Sequence, residues 1–260
     1  MEPLHLTLGG NATVLIELGP VTIVTDPWLS DQLGPWKRMR PCALATEQVA
    51  SARVLLVSHA HPDHLDPRSL AIVPRETTLL APAGVPARRL AALGFRRLHA
   101  LVAWERWEGE GVRIVAVPAV HTRGSLGYVV ERGGRTLYFA GDAGPRTPFH
   151  EIGKRCGPLE VALLPVGGSS LAIGPLQRHL TPRAAAWAAS VLRPRWAVPI
   201  HWGHVPCVPR VLDRFRGQPE RFAAWLERIA PEVRLLAPAE GERVAVEIAA
   251  EAPSSSVPGR

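Results

Sequence analysis

Cysteine is scarce in this chain. Cys42, Cys156 and Cys207 lie far apart and form no CxxC pair, which argues against a disulfide framework and against a cysteine-built zinc site. Reduced thiols in the cytoplasm are the expectation. No run of about 18 apolar residues occurs, so no transmembrane helix is expected. The opening MEPLHLTLGG lacks a basic segment followed by an apolar one, so no signal peptide is read there. Disorder is not suggested either, because 47% of residues are hydrophobic and 20% are charged, enough apolar material for a substantial core. A length of 260 residues fits one large domain, read here as 1–250, followed by a Pro- and Ser-rich disordered tail over 251–260.

The formal charge of +7 is carried by Arg rather than Lys, in pairs such as Arg88-Arg89 and Arg96-Arg97. It implies attraction to anions, although a base-biased genome gives the same composition, and net charge bears on association more than on fold. Short apolar or alternating runs predict strands at Leu4–Leu8, Ala12–Leu18, Val21–Thr25, Arg53–Ser58, Leu79-Leu80, Val112–Val117, Val161–Pro165, Trp196–Ile200 and Val244–Ile248. Gly133-Gly134 predicts a hairpin between Gly127–Glu131 and Thr136–Ala140. Helices are expected from Asp66-Pro67, over Val85–Leu93, and from Thr181-Pro182 to Leu192. Another is expected around Phe222, Trp225, Leu226 and Ile229, which share one helical face. Trp28–Leu44 reads as a loop. Interleaved strands and helices with no repeat imply a layered α/β domain.

Chemistry concentrates at His59-Ala60-His61-Pro62-Asp63-His64, on the turn leaving the apolar Arg53–Ser58 strand. Neutral imidazole nitrogens bind Zn²⁺ or similar ions, and carboxylate oxygens compensate their charge. Alternate residues of a turn point the same way, so His59 and His61 can share one ion, with Asp63 and His64 displaced towards a second. Those ligands do not complete two ions, and three more candidates follow apolar strands. They are His121 past Val112–Val117, Asp142 within Gly141-Asp142-Ala143-Gly144, and His201 within Ile200-His201-Trp202-Gly203.

With these residues in hand, the chain resembles the metallo-β-lactamase-fold hydrolases over almost its whole length. The resemblance rests on Gly9-Gly10, Thr25-Asp26-Pro27, SHAHPDHLD (Ser58 to Asp66), His121, GDAG (Gly141 to Gly144) and IHWG (Ile200 to Gly203). The Trp36–Pro41 loop and His179-Leu180-Thr181-Pro182 make it most similar to the branch of N-acyl-phosphatidylethanolamine phospholipase D and ascorbate-6-phosphate lactonase. The resemblance implies an α/β fold, a four-layered αβ/βα sandwich with metals at one edge of two sheets. It implies His59, His61 and His121 on one ion, Asp63, His64 and His201 on the other, and Asp142 bridging. The cofactors implied are two divalent metal ions, zinc first, with Mn or Fe as alternatives.

The reaction implied is hydrolysis of an ester, lactone or phosphodiester bond by a metal-bridging hydroxide that Asp63 orients. Two carboxylates against two divalent ions leave a net positive centre, which suits a small anionic substrate. His179 is read as a catalytic residue facing the substrate, where it donates to a developing oxyanion; its alternative is a helix flank. Asp26 is expected to fix a ligand imidazole's tautomer. Trp28 and Trp36 are expected as apolar walls of a substrate rim, with Arg38 or Arg40 as anion contacts; a solvated basic loop is the alternative. His204 reads as a plain loop histidine, and His5, His99 and His150 carry no pattern. The stretch 167–178, with Leu171, Ile173 and Leu176, departs from the phospholipase pattern and argues against a membrane-lipid substrate.

Other readings stay open: a nuclease-type phosphodiesterase acting on RNA or DNA, and a non-hydrolytic iron centre for oxygen or sulfur chemistry. No stable nucleic acid partner is expected, since no added substrate-binding element is found, and a homo-oligomer is left open. All seven candidate ligands are present, which argues against a degenerate scaffold.

Overall fold

The structure is a computed structural model that describes residues 2–34, 36–168, 178–206 and 216–247. Cys207, Ile248, most of the 167–178 stretch, the tail from 251 and the side chain of Trp36 lie outside the described residues. The first half of the chain forms β1 (Leu4–Gly10), β2 (Thr13–Leu18), β3 (Val21–Thr25), β4 (Gln32–Leu33), β5 (Trp36–Lys37), α1 (Thr46–Ala50), β6 (Val54–Leu56), α2 (Pro67–Ala71), β7 (Thr78–Pro82), α3 (Ala87–Ala91) and β8 (Arg97–Leu101). The second half forms β9 (Arg106–Gly109), β10 (Val112–Pro118), β11 (Leu126–Arg132), β12 (Arg135–Phe139), α4 (Phe149–Cys156), β13 (Val161–Pro165), α5 (Pro182–Leu192), β14 (Trp196–Ile200), α6 (Pro219–Ile229), β15 (Arg234–Leu235) and β16 (Arg243–Ala245).

These strands make two seven-stranded mixed sheets, ordered β16-β1-β2-β3-β6-β7-β8 and β15-β14-β13-β12-β11-β10-β9. Side chains alternate across a strand, so residue parity sorts the core into layers. Leu6, Ile16, Ile23 and Leu56 of the first sheet meet Ile114, Tyr128, Phe139 and Leu163 of the second between the sheets. Their neighbours point outward: Leu15, Val24, Leu55 and Leu79 towards α1, α2 and α3, and Val129, Tyr138, Ala162 and Leu164 towards α4, α5 and α6. Both sheets are covered on both faces, which gives the four-layered αβ/βα sandwich.

Local signals set several boundaries. Asp66 caps α2 by accepting from the backbone N–H of Arg68 and Ser69, and Thr181 caps α5 by accepting from Ala184. Gly133 and Gly134, at φ 53° and 78°, turn β11 into β12. Other elements had no such signal. β8 is largely exposed, and Arg97 and His99 interrupt its apolar residues. In α4, Phe149, Ile152 and Cys156 bury one face, but Pro148 and Gly153 interrupt the pattern in sequence. The Trp28–Leu44 loop contains the β4–β5 hairpin, and α3 is shorter than Val85–Leu93.

The topology brings one kind of strand end together. β12, β13 and β14 are parallel, and β10 runs the same way through the antiparallel β11. In the other sheet β3 and β6 are parallel, and β1 shares their direction through β2. Asn11, Asp26 and Ser58 therefore leave the first sheet, and His121, Asp142 and His201 the second, at carboxyl ends of strands. Three hydrogen bonds join the sheets at this edge: Leu126 N to Ser58 O (2.9 Å), the Tyr128 hydroxyl to Val57 O (2.7 Å) and His201 N to Asn11 O (2.7 Å).

Candidate metal centre

All seven predicted ligands meet at that edge. His59, His61, His121 and Asp142 form one group able to hold an ion, and Asp63, His64 and His201 form another. Asp142 Oδ2 lies 3.7 Å from His59 Nε2, 3.5 Å from His121 Nε2 and 3.3 Å from His64 Nε2, and Asp142 Oδ1 lies 3.0 Å from His201 Nε2. One carboxylate thus stands between the two groups.

The spacings fit a metal. Tetrahedral zinc with bonds of about 2.0–2.1 Å separates neighbouring donor atoms by about 3.3 Å. His64 Nε2 and His201 Nε2 are 3.2 Å apart, His121 Nε2 and His61 Nδ1 3.3 Å, and Asp63 Oδ2 is 3.3 Å from His64 Nε2 and 3.5 Å from His201 Nε2. Among the described residues, His59 Nε2 and Asp142 Oδ1 are buried with no hydrogen-bond partner. Orphaned buried polar atoms are costly unless a cation or proton satisfies them.

Behind the ligands sits a second set of contacts that aims them. His64 Nδ1–H donates to Asp26 Oδ2 at 2.6 Å. The Ser58 hydroxyl donates to the same oxygen at 2.6 Å and lies 3.0 Å from His59 Nδ1, while Ser58 N donates to Asp26 Oδ1 at 2.6 Å. A single buried carboxylate therefore turns Nε2 of His64 directly, and Nε2 of His59 through Ser58, towards the centre. His121 Nδ1–H donates to the Arg178 carbonyl at 3.3 Å. Asn11 Nδ2 donates to Asp63 Oδ2 at 3.1 Å, and its own carbonyl holds His201 N. Asn11 (φ 55°), Asp26 (φ 36°) and His201 (φ 56°) all occupy the left-handed region. Asn, Asp and His tolerate it best among residues with a side chain, and strain of this kind collects at functional sites.

Replacing Asp26 with Asn presents an amide N–H to one of the donors it now accepts from. Metal affinity is expected to fall about 10- to 100-fold. Competition against a chromogenic chelator measures this, and an unchanged affinity would count against the orienting role.

Charge states follow from burial and neighbours. Burial holds His59, His61 and His121 below the ordinary imidazole value, His59 far below. Burial also pushes His64 down, but the carboxylates of Asp142, Asp63 and Asp26 outweigh it and hold His64 well above that value. Asp63 and Asp142, which burial alone would raise, are held well below the usual carboxylate range by His64 and His201. Burial raises Asp26. His59, His61 and His121 are thus neutral imidazoles beside ionised carboxylates, the forms that bind metal, whereas His64 would have to give up a proton to bind one.

His179 lies against both groups. Its Nδ1 is 3.6 Å from Asp142 Oδ2, and its ring stacks on His201 at 5.3 Å and 13°. Burial pushes its pKa down to about 3, so the ring is neutral near pH 7. With Asp142 and His201 it also forms a third group able to hold an ion. His5, His99 and His150 belong to none of these groups.

The basic loop differs from expectation. Trp28 is fully buried, and its indole N–H donates to Gln32 O, so it walls no rim. Arg38 is 6% exposed; its guanidinium lies 4.2 Å over the Trp28 ring and donates to the Trp28 carbonyl. Arg40 pairs with Glu240 at 2.9 Å and lies over Trp202. Neither is a free anion contact. His204 is no plain loop residue: it is fully buried, 3.1 Å from both guanidinium groups and 2.8 Å from Glu240 Oε1. Planar guanidinium groups satisfied by aromatic faces and a carboxylate pack inward. The orienting roles of Asn11 and Ser58 went unread; the only cue was their place at strand ends beside a glycine pair and a histidine cluster.

Together, the sandwich and the strand-end ligand array define the metallo-β-lactamase fold class. A family model described as the beta-lactamase superfamily domain matches residues 21–202, and the chain belongs to that superfamily. It is 32% identical over 226 residues to a UPF0173 metal-dependent hydrolase of Thermococcus kodakarensis, covering 80% of this chain and 88% of that one. It is 31% identical over 234 residues to an N-acyl-phosphatidylethanolamine-hydrolyzing phospholipase D of Caenorhabditis elegans, covering 78% of this chain and 65% of that one. A solved metallo hydrolase from Ignicoccus hospitalis superposes with a TM-score of 0.73 at 23% identity, covering 95% of this chain and 99% of that chain.

Proposed function

We propose that this chain, as a single domain over residues 1–250, hydrolyses an ester, lactone or phosphodiester bond of a small anionic substrate at a dinuclear centre. It is an enzyme, and the coarser description, a metal-dependent hydrolase, rests on its family and on the converged imidazoles and carboxylates. The observation that carries the dinuclear reading is the Asp142 carboxylate, 3.0–3.7 Å from ligand nitrogens of both groups. His59, His61 and His121 would hold one ion and Asp63, His64 and His201 the other, with Asp142 between them. Zinc suits this nitrogen and oxygen donor set, with Mn or Fe as alternatives.

Two such ions would acidify water and polarise the oxygen of the scissile bond. Asp63 orients the attacking water, held in place by Asn11. His179, neutral and fixed by stacking, donates a hydrogen bond where negative charge develops. Asp26 keeps the tautomers of His64 and His59 constant through the cycle. We place the enzyme in the cytoplasm: Cys42 and Cys156 are unpaired, and no helix among the described residues is long and apolar enough to cross a membrane.

Metal quantification joined to a screen of phosphodiester, lactone and ester substrates tests this. About two equivalents of zinc and chelator-sensitive turnover are expected. Turnover that survives complete metal removal sinks the reading, and optical spectra with bound iron would redirect it. His179→Ala is expected to lower kcat about 10²- to 10³-fold with metal content unchanged. Loss of metal in that variant would make His179 a ligand instead.

A further inference from the structure

Beside the centre lies a cavity of about 390 Å³, lined by Val120, His121, Thr122 and Arg123 from one loop, Pro145 and Arg146 from a second, and Arg178 from a third. Among the described residues, three arginines and no carboxylate line it. All three are exposed, and none makes an ion pair among the described residues. Most other arginines near the site, Arg38 and Arg40 included, are stacked or paired.

The three loops are locked to each other. Gly144 N donates to Val120 O at 3.1 Å, Val120 N to Thr147 Oγ1 at 3.0 Å, and His121 Nδ1 to Arg178 O at 3.3 Å. A Cβ on Gly144 would sit 2.6 Å from both the Val120 and Arg178 carbonyl oxygens, so only glycine lets the loops touch. The 122–125 loop is pinned by its own Ser125–Thr122 hydrogen bond and by the close approach of Gly124 to Gly84. Three cations on separate, mutually hydrogen-bonded loops thereby stand around one opening whose wall includes a candidate ligand, His121. Unpaired like charges held together repel, and an oxyanion relieves this; guanidinium forks match its oxygens in pairs.

The geometry points to Arg123, Arg146 and Arg178 as a subsite for a second, non-reacting tetrahedral oxyanion of the substrate, of the phosphate type. This rests on the reading of the adjacent metal centre as the place of hydrolysis. The substrate class is then a small molecule carrying a phosphate-type group one cavity away from the bond that is cut. The arginines act by positioning that bond, and His121 fixes the distance between anchor and reaction.

Inorganic phosphate is the probe, titrated calorimetrically into the zinc-loaded full chain and into the same chain after chelation. Arg123→Glu and Arg146→Glu, both exposed and therefore of small consequence for folding, are each expected to weaken phosphate about 10- to 100-fold with zinc content unchanged. Arg146→Lys should recover part of that loss, because it keeps the charge but not the fork. Binding should also weaken as salt is raised. Phosphate that binds equally well to both charge-reversal variants, or that shows no binding to the wild-type chain, overturns the subsite. The hydrolase reading fails separately, through absent metal or chelator-insensitive turnover, and the phosphate titration reads the arginines in either case.

Discussion

Asp142→Ala is expected to remove metal and hydrolysis together. Its carboxylate stands within 3.0–3.7 Å of Nε2 atoms from both groups, so its loss opens both ion sites at once. Several kcal/mol of metal-derived stabilisation corresponds to a drop of about 10³-fold or more in turnover. The metal-free protein carries its own readout. Asp142 is the first of the carboxylates that hold His64 well above the ordinary imidazole value, so the substitution should shift His64 downward in an NMR titration of chelated protein. A variant that keeps two ions and ordinary turnover would end the bridging assignment.

Gly10→Ala should lower stability sharply. Gly10 has φ +96°, and a Cβ there would lie 2.3 Å from His204 Cε1. The ring cannot retreat, because it is fully buried and held by Arg38, Arg40 and Glu240. Left-handed strain and overpacking each cost about 1–3 kcal/mol, so about 3–5 kcal/mol in total is expected. For a chain of this size that lowers Tm by roughly 10 °C. The consequences reach the centre, since Asn11, the next residue, holds Asp63 and His201. Thermal unfolding and metal content should therefore fall together. A Tm within a degree or two of wild type would mean that the Gly10–His204 contact carries no load.

Much of this was legible from pattern. Apolar runs in β1, β2, β10 and β13 marked the strands, because strands covered on both faces carry apolar residues at successive positions. Asp66 and Thr181 marked helix starts through chemistry local to a single turn. The HAHPDH cluster stood out because its ligands are neighbours in sequence. Elements whose stability comes from elsewhere were silent. β8 is a largely exposed edge strand secured by pairing with β7, and α4 packs against α5 and the second sheet. The basic loop was misread for a related reason: sequence shows the charges of Arg38 and Arg40, but not the Trp28 and Trp202 faces or the Glu240 carboxylate that absorb them.

The sequence by itself determined the class of fold and singled out the candidate ligands, since both depend on residue type and short-range order along the chain. Only the tertiary structure decided that Asp142 stands between the two groups, that Asp26 orients His64 and His59, and that Arg123, Arg146 and Arg178 ring one cavity while Arg38 and Arg40 do not. Those are relations between strand ends far apart in the chain. Sheet direction and inter-sheet packing set their distances, and no local pattern encodes either.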